Sequence, residues 1–117
     1  MTGSNRDADT ASRLNWPGAQ PASLLSNGSY SVFITADGTG RSMWQDVALT
    51  RWRGDRIQDR DGFFVYLRDR ETGIPWSSGR RPVAGRPERY EVTWRPGAFT
   101  IARVEEQILT RLTVCVD

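Results

Sequence analysis

The sequence predicts an all-β fold built from antiparallel strands. Short segments rich in β-branched and aromatic residues alternate with turn signals, and several of these segments repeat their apolar residues with a period of two. No segment of the 117 residues has a convincing helical period. This combination is typical of antiparallel sheets that turn one face toward a core and the other toward water or a partner.

The first 23 residues differ in composition from the rest of the chain. They are rich in Ala, Ser, Asp, Asn, Gly and Pro, and their few apolar residues show no period. Such a composition is typical of a flexible leader or an interdomain linker. We therefore expect a leader or linker at residues 1–23 and a β-sandwich domain at residues 24–117.

Six strands are predicted after this leader, and Asp-Gly, Thr-Gly and Pro-Gly pairs mark the turns between several of them. The predicted strands are Tyr30–Ala36, Met43–Thr50, Phe63–Arg68, Arg89–Arg95, Ala98–Val104 and Gln107–Val116.

Alternation is clearest in the last part of the chain. Tyr90, Val92 and Trp94 alternate with polar residues, so these three side chains are expected to face a core. A second apolar row runs from Ile108 to Val116, with one threonine on the apolar side. The end of the chain is therefore predicted to form a three-stranded meander.

The ionisable residues exclude several kinds of chemistry. The sequence has no histidine and no lysine, which excludes Ser-His and Cys-His nucleophile pairs and Schiff-base chemistry and disfavours a zinc site. Cys115 is the single cysteine, so no internal disulfide exists. It lies in an alternating apolar strand, which predicts that its thiol is buried. We expect neither a metal nor a cofactor.

The net charge of +2 is small, and arginines alternate with acids instead of forming a stripe of one sign. This pattern argues against a nucleic-acid surface. No apolar run approaches the roughly 20 residues of a membrane-spanning helix, and the N-terminus has no secretory signal. The sequence therefore predicts a cytoplasmic protein without a membrane segment.

The first candidate binding site runs from Asp37 to Trp44. Its two glycines would let backbone amides approach a ligand, Arg41 and Ser42 add polar groups, and Trp44 offers a flat apolar face to a sugar ring. The alternative is a glycine-containing β-turn followed by a core tryptophan.

The second candidate site runs from Arg51 to Asp55. On an extended strand Arg51 and Arg53 share a face, where they would hold hydroxyl groups or an anion. The alternative is that Asp55 or Asp59 neutralises the two arginines.

Four aspartates are candidates for a general acid and base in glycoside chemistry. All lie next to arginines, which lower the pKa of a carboxyl group, so a protonated acid is not expected. These residues are Asp55, Asp59, Asp61 and Asp69.

Several stretches occur in the order and spacing of a known family. They are Leu25–Val32, Thr39–Trp44, Leu49–Arg53, Tyr66–Asp69, Gly73 with Trp76–Ser77, and Arg89–Val92. Together they resemble the start of the N-terminal β-sandwich domain of glycoside hydrolase family 94, in particular the phosphorylase-like region of cyclic β-1,2-glucan synthases. The resemblance covers about residues 24–116.

The resemblance implies a fold and a position within a longer protein. The fold would be an antiparallel β-sandwich, here a partial super-sandwich of the galactose mutarotase-like kind. Family members place this domain before an (α/α)6 barrel that holds the catalytic aspartate, and they use inorganic phosphate without a metal. The chain is expected to be truncated before the barrel and to contain no catalytic residue.

We therefore predict a non-catalytic, carbohydrate-associated module that scaffolds or lines a sugar site of a β-glucan phosphorylase or cyclic β-1,2-glucan synthase-like protein. The alternative is a degenerate module for protein association without sugar binding. Expected partners are a β-glucan or gluco-oligosaccharide, a catalytic (α/α)6 barrel and a second copy of the chain. The predicted carbohydrate-binding residues are Trp44, Arg51, Arg53, Asp55 and Ser42.

Overall fold

The computed structural model describes residues 13–14, 22–51, 53 and 61–117. These residues form ten β-strands and none of them lies in a helix, which confirms the all-β prediction. In particular, no described residue belongs to a helix that is long and apolar enough to cross a membrane. The strands are β1 (Arg13–Leu14), β2 (Ala22–Ser26), β3 (Tyr30–Thr35), β4 (Gly40–Trp44), β5 (Val47–Ala48), β6 (Tyr66–Arg68), β7 (Pro75–Ser77), β8 (Arg89–Arg95), β9 (Ala98–Glu105) and β10 (Ile108–Cys115).

The described strands form two four-stranded antiparallel sheets and a separate hairpin. The β3 sheet has the strand order β2-β3-β4-β5, and the β9 sheet has the order β1-β8-β9-β10. Strands β6 and β7 pair only with each other. The predicted meander is confirmed, since β8 pairs with β9 and β9 pairs with β10.

One hydrophobic core joins the two four-stranded sheets. Buried residues from both sheets belong to the same contact cluster, so the sheets pack face to face as a β-sandwich. Tyr90 and Trp94 are half-buried against this cluster, as their alternation predicts. The buried members are Leu25, Val32, Ile34, Ala36, Val92, Phe99 and Ile101.

The prediction of a buried Cys115 thiol is wrong. Along β10 the half-buried side chains are at even positions, and Cys115 belongs to the odd positions with Arg111 and Thr113. These odd side chains are exposed, and Cys115 is exposed with them. The strand was predicted correctly, but its parity turns the cysteine away from the core.

The prediction of one strand at Met43–Thr50 is also wrong. Strand β4 ends at Trp44, a two-residue turn begins at Gln45 with a φ of 49°, and Val47 pairs back with Trp44. The turn contains neither glycine nor proline, so the sequence carries no strong signal for it. Residues 49–51 and 53 consequently lie beyond the end of strand β5.

Two strands lie wholly or partly within residues 1–23. Strand β1 pairs with β8, with Arg13 opposite Thr93, and strand β2 begins at Ala22 and pairs with β3 along its whole length. Neither strand was predicted, because each is too short to show an alternating pattern. Most of residues 1–23 lie outside the described part of the chain, and the domain boundary stays a prediction.

Candidate functional site

Ser42 and Trp44 lie two residues apart on β4 but have different surroundings. Ser42 pairs with Val32 in the middle of the β3 sheet and is 4% exposed, whereas Trp44 pairs with Tyr30 at the end of the strand and is 49% exposed. Trp44 is therefore available to a ligand, and it is not the core tryptophan of the alternative interpretation.

The main chain of Ser42 holds the segment that leads to the two arginines. The amides of Leu49 and Thr50 donate to the Ser42 carbonyl oxygen at 3.0 and 3.3 Å, and the Ser42 amide donates to Thr50 Oγ1 at 2.8 Å. Arg51 follows directly and is exposed. Strand β4 thus positions the start of the second candidate site beside the first.

Arg53 is exposed as well, and its amide donates to Asp61 Oδ2 at 3.0 Å. Arg51 and Arg53 lie outside the described strands, so they do not share the face of a strand as predicted. No ion pair among the described residues involves either arginine. Asp55 and Asp59 lie outside the described residues, so the predicted pairing with them stays untested.

The glycine-containing loop at residues 37–40 is buried, and its amides bond within the protein. Gly38 N–H donates to the Thr35 carbonyl oxygen at 3.0 Å, and Gly40 N–H donates to that of Asp61 at 3.1 Å. A Cβ at Gly40 would lie 1.9 Å from the Phe33 carbonyl oxygen. The glycines therefore allow close packing of the backbone, and their amides are not free to meet a ligand.

Residues from three separate segments meet at this loop. Phe63 N–H donates to the Gly38 carbonyl oxygen at 3.0 Å, and Arg81 N–H donates to that of Asp37 at 3.1 Å. Gly79 approaches so closely that an added Cβ would lie 2.5 Å from the Asp37 carbonyl oxygen. We call these residues, 37–40, 61–63 and 79–81, the loop junction.

A buried arginine anchors one side of the loop junction. Arg103 on β9 has no exposed surface, and its guanidinium pairs with the Glu105 carboxylate. The same guanidinium donates to four main-chain carbonyl oxygens at 2.7 to 3.0 Å. The carbonyl oxygens belong to Ser77, Gly79, Val83 and Ala84.

Tyr90 connects the loop junction to both sheets. Its hydroxyl group donates to the Ala36 carbonyl oxygen at 2.5 Å and accepts from the Arg80 amide at 3.0 Å. The Arg80 guanidinium lies 4.9 Å from the centre of the Tyr90 ring, within the range of a cation–π contact. Burial raises the pKa of Tyr90 to about 12, so the phenol is neutral at physiological pH.

The structure explains why Asp69, one of the four candidate acids, has a lowered pKa. The amides of Glu71 and Thr72 donate to Asp69 Oδ1, and these hydrogen bonds lower the pKa of the Asp69 carboxyl group. The direction agrees with the prediction, but the cause is backbone amides and not a neighbouring arginine. Asp69 is an acceptor that closes the turn between β6 and β7.

The sequence did not single out Arg103 as an important residue. A signal was nevertheless present, because Arg103 and Glu105 have the same parity on β9 as the core residues Phe99 and Ile101. A charged pair at inward positions of a strand is expected to be buried and hydrogen-bonded.

Two packed antiparallel sheets with one core place the chain among the β-sandwich domains. Comparison with protein families gives a narrower class, since residues 11–117 match the family described as glycosyl hydrolase 94, supersandwich domain. The chain belongs to this family. The resemblance that its motifs predict is thereby confirmed.

Two curated relatives match shorter stretches. Cyclic beta-(1,2)-glucan synthase NdvB of Rhizobium meliloti (strain 1021) is 49% identical over 59 residues, which is 50% of this chain and 2% of that protein. N,N'-diacetylchitobiose phosphorylase of Vibrio furnissii is 50% identical over 36 residues, which is 31% of this chain and 4% of that protein. The matches thus span a small part of the length of either relative.

Proposed function

We propose that the chain is a carbohydrate-associated module without catalytic activity of its own. Its role is to scaffold or line a sugar site in a protein similar to β-glucan phosphorylases and cyclic β-1,2-glucan synthases. Membership of the supersandwich family supports this role, and both relatives bear the names of enzymes of carbohydrate chemistry. In such a protein the catalytic chemistry belongs to a partner (α/α)6 barrel.

The observation that carries the sugar-binding role is the exposure of Trp44. A tryptophan exposed to this extent leaves a large apolar ring in water, at a cost of about 25 cal/mol for each Å² of apolar surface. A sugar ring that stacks on the indole removes that surface from water. Trp44 would therefore supply the apolar contact of the site.

Hydrogen bonds from the neighbouring segment would complete the site. The guanidinium groups of Arg51 and Arg53 are exposed donors, and each can bond more than one hydroxyl oxygen of a sugar. Asp55 would accept hydrogen bonds from other hydroxyl groups. Ser42 is buried, and in this proposal it acts through its main chain by holding residues 49–50.

A fluorescence titration with β-1,2-gluco-oligosaccharides tests the proposal. We expect a saturable change in tryptophan emission, and Trp44→Ala should weaken affinity at least about tenfold, which corresponds to about 1.4 kcal/mol. The matched control is Tyr66→Ala, which removes another exposed aromatic side chain on the separate β6–β7 hairpin. This control should bind as the unmodified chain does.

Two results would count against the sugar site. Equal affinities of the Trp44→Ala variant and the unmodified chain would show that Trp44 is not part of the sugar site. A folded chain with no saturable response would overturn carbohydrate binding. The non-catalytic part is tested separately by incubation with β-glucan and inorganic phosphate, where release of a sugar phosphate would contradict it.

An apolar surface supports the second candidate function, protein association without sugar binding. On the outer face of the β3 sheet, Leu24 is 69% exposed and pairs with Phe33. With Met43, Ser31 and Arg41 they line a shallow depression of about 350 Å³. Exposed apolar patches of this kind commonly mark interaction surfaces.

A further inference from the structure

The turn between β2 and β3 contains the one asparagine of the sequence that is followed by glycine. Asn27 and Gly28 are both exposed, and they follow directly after β2. The other two asparagines precede Arg6 and Trp16, whose side chains are large. Asn27 is therefore the asparagine best suited to a reaction between its side chain and the main-chain nitrogen that follows it.

This reaction is deamidation through a cyclic imide. The nitrogen of Gly28 gives up its proton and bonds to the side-chain carbonyl carbon of Asn27, and the side-chain nitrogen leaves with that proton as ammonia. Water then opens the imide at one of its carbonyl carbons, which leaves aspartate or isoaspartate at position 27. Glycine permits the attack because it has no side chain to hinder the approach of its nitrogen.

The folded turn holds the side chain that would be attacked. Asn27 Oδ1 accepts hydrogen bonds from the amides of Ser29 at 3.0 Å and Tyr30 at 2.8 Å. The Asn27 amide in turn donates to the Tyr30 carbonyl oxygen at 3.2 Å. Closing a planar imide takes the side-chain torsion far from the staggered rotamers. The reaction therefore requires that the bonds to Oδ1 break.

The attacking nitrogen is held as well. Gly28 N–H donates to Ser26 Oγ at 3.0 Å, and the φ of Gly28 is 99°, in the left-handed region that favours glycine. The turn is also joined to the end of β4, because Gln45 N–H donates to the Ser29 carbonyl oxygen at 2.7 Å. Both reacting groups are thus bound in place in a turn that is exposed to water.

We propose that Asn27 is a deamidation site that the folded turn keeps unreactive, and that the reaction follows local opening of this turn. Exposed turns open at a lower free energy than the whole domain unfolds. Opening breaks the three side-chain hydrogen bonds at Asn27 and Gly28, so the open state is a minor population and only this population reacts. Deamidation of Asn27 then reports how often the turn opens.

The two products differ in their effect on the turn. Aspartate keeps an oxygen that accepts from the amides of Ser29 and Tyr30, so the turn can form again. Isoaspartate routes the main chain through the former side chain and lengthens it by one methylene group, which displaces Ser29. Since the Ser29 carbonyl oxygen accepts from Gln45, isoaspartate at position 27 should disturb the end of β4.

Peptide mapping by mass spectrometry, during incubation at mildly alkaline pH, measures the reaction. Asn27 of the folded chain should deamidate at least about tenfold more slowly than Asn27 of the chain unfolded in urea, which corresponds to an opening free energy of about 1.4 kcal/mol. Asn5 and Asn15 are internal controls, because the residues after them hinder ring closure. In urea both should react more slowly than Asn27.

Ser26→Ala tests the contact that holds the attacking nitrogen. It removes the acceptor of Gly28 N–H, so deamidation of the folded chain should become several-fold faster, while the rate in urea should stay the same. The matched control is Ser23→Ala, the same substitution earlier on β2, which should change neither rate. Ser26 is exposed, so the variant should fold as the unmodified chain does by circular dichroism.

Equal rates in the folded and the urea-unfolded chain would overturn the proposal, and so would an Asn27 that stays intact in urea. Equal folded-state rates of the Ser26→Ala and Ser23→Ala variants would contradict the hold on Gly28. The isoaspartate chain, separated by chromatography, should unfold at a lower urea concentration than Asn27→Asp, and equal midpoints would contradict the displacement of Ser29. None of these measurements uses a sugar, so the inference stands or falls independently of carbohydrate binding.

Discussion

At the scale of single residues, the guanidinium of Arg103 organises the loop between β7 and β8. Arg103→Met should lower the free energy of unfolding by about 3–5 kcal/mol, because it leaves the Glu105 carboxylate without its ion-pair partner and removes one hydrogen-bond donor from each of four carbonyl oxygens. Urea denaturation measures the change. The matched control is Arg95→Met on an exposed position, with an expected effect below about 0.5 kcal/mol. Similar losses in both variants would contradict the role of Arg103.

Titration of Tyr90 makes the free energy of unfolding depend on pH in the alkaline range. The pKa of Tyr90 is raised by burial to about 12, whereas a tyrosine in the unfolded chain has its ordinary pKa of 10.0, so folding favours the protonated phenol. The contribution of Tyr90 is therefore complete below about pH 10 and is lost as pH rises from about 10 to 12, at up to about 1.4 kcal/mol per pH unit.

The measurement compares urea unfolding of the unmodified chain and of Tyr90→Phe at several pH values from 8 to about 11. The Tyr90→Phe variant should lose much less stability over this pH range, because it has no phenol to deprotonate. At neutral pH it should be less stable by about 1–3 kcal/mol, because the Ala36 carbonyl oxygen and the Arg80 amide lose their partner. Parallel pH profiles of the two chains would show that Tyr90 does not titrate as described.

At the scale of elements, the turn between β3 and β4 requires glycine for its close backbone approach. Gly40 has a φ of 155° and an added Cβ would overlap the Phe33 carbonyl oxygen, so Gly40→Ala must separate the two strands. Gly97 also has a positive φ, 83°, but no atom lies within 4 Å of an added Cβ. Gly97→Ala should cost about 1–2 kcal/mol through backbone strain alone.

Gly40→Ala should cost at least about 2 kcal/mol more than Gly97→Ala, because steric overlap adds to the strain. Thermal unfolding of the two variants gives the comparison. Equal midpoints would mean that the strands adjust without loss, contrary to the close packing at Gly40.

At the scale of the whole molecule, the two sheets should unfold together because they share one core. Ile34 lies in the β3 sheet and Ile101 in the β9 sheet, and both are fully buried. Each Ile→Ala substitution should lower the free energy of unfolding by about 2–5 kcal/mol. Leu24→Ala, on the exposed outer face, is the control and should change it by less than about 0.5 kcal/mol.

Circular dichroism and tryptophan fluorescence should report one common transition in both core variants. A transition in which the Ile101→Ala variant loses only part of its structure would show that the sheets are independently stable.

Much of the fold was predictable because its signals are local. Turn pairs such as Pro96-Gly97 and the alternation from Tyr90 to Trp94 depend on neighbouring residues, so they predict the meander without knowledge of the rest of the chain. The family was predictable from the order of several short motifs. The Gln45 turn was missed because it lacks the residues that usually mark a reversal.

The candidate site was predictable only in part, since burial depends on what packs against each residue. Ser42 and Trp44 belong to the same motif, yet one is buried and the other half-exposed because they lie at different distances from the end of β4. The loop junction and its Arg103 anchor join residues that are far apart in the chain, and no local pattern records such contacts.

The sequence by itself determined the strand periods, most turns and the absence of histidine and lysine chemistry, because these follow from residue types and their spacing. Only the tertiary structure decided which face of each strand is buried and that the glycine amides of residues 37–40 are already bonded. These properties arise from pairing and packing between distant segments, where the same local pattern is compatible with more than one arrangement.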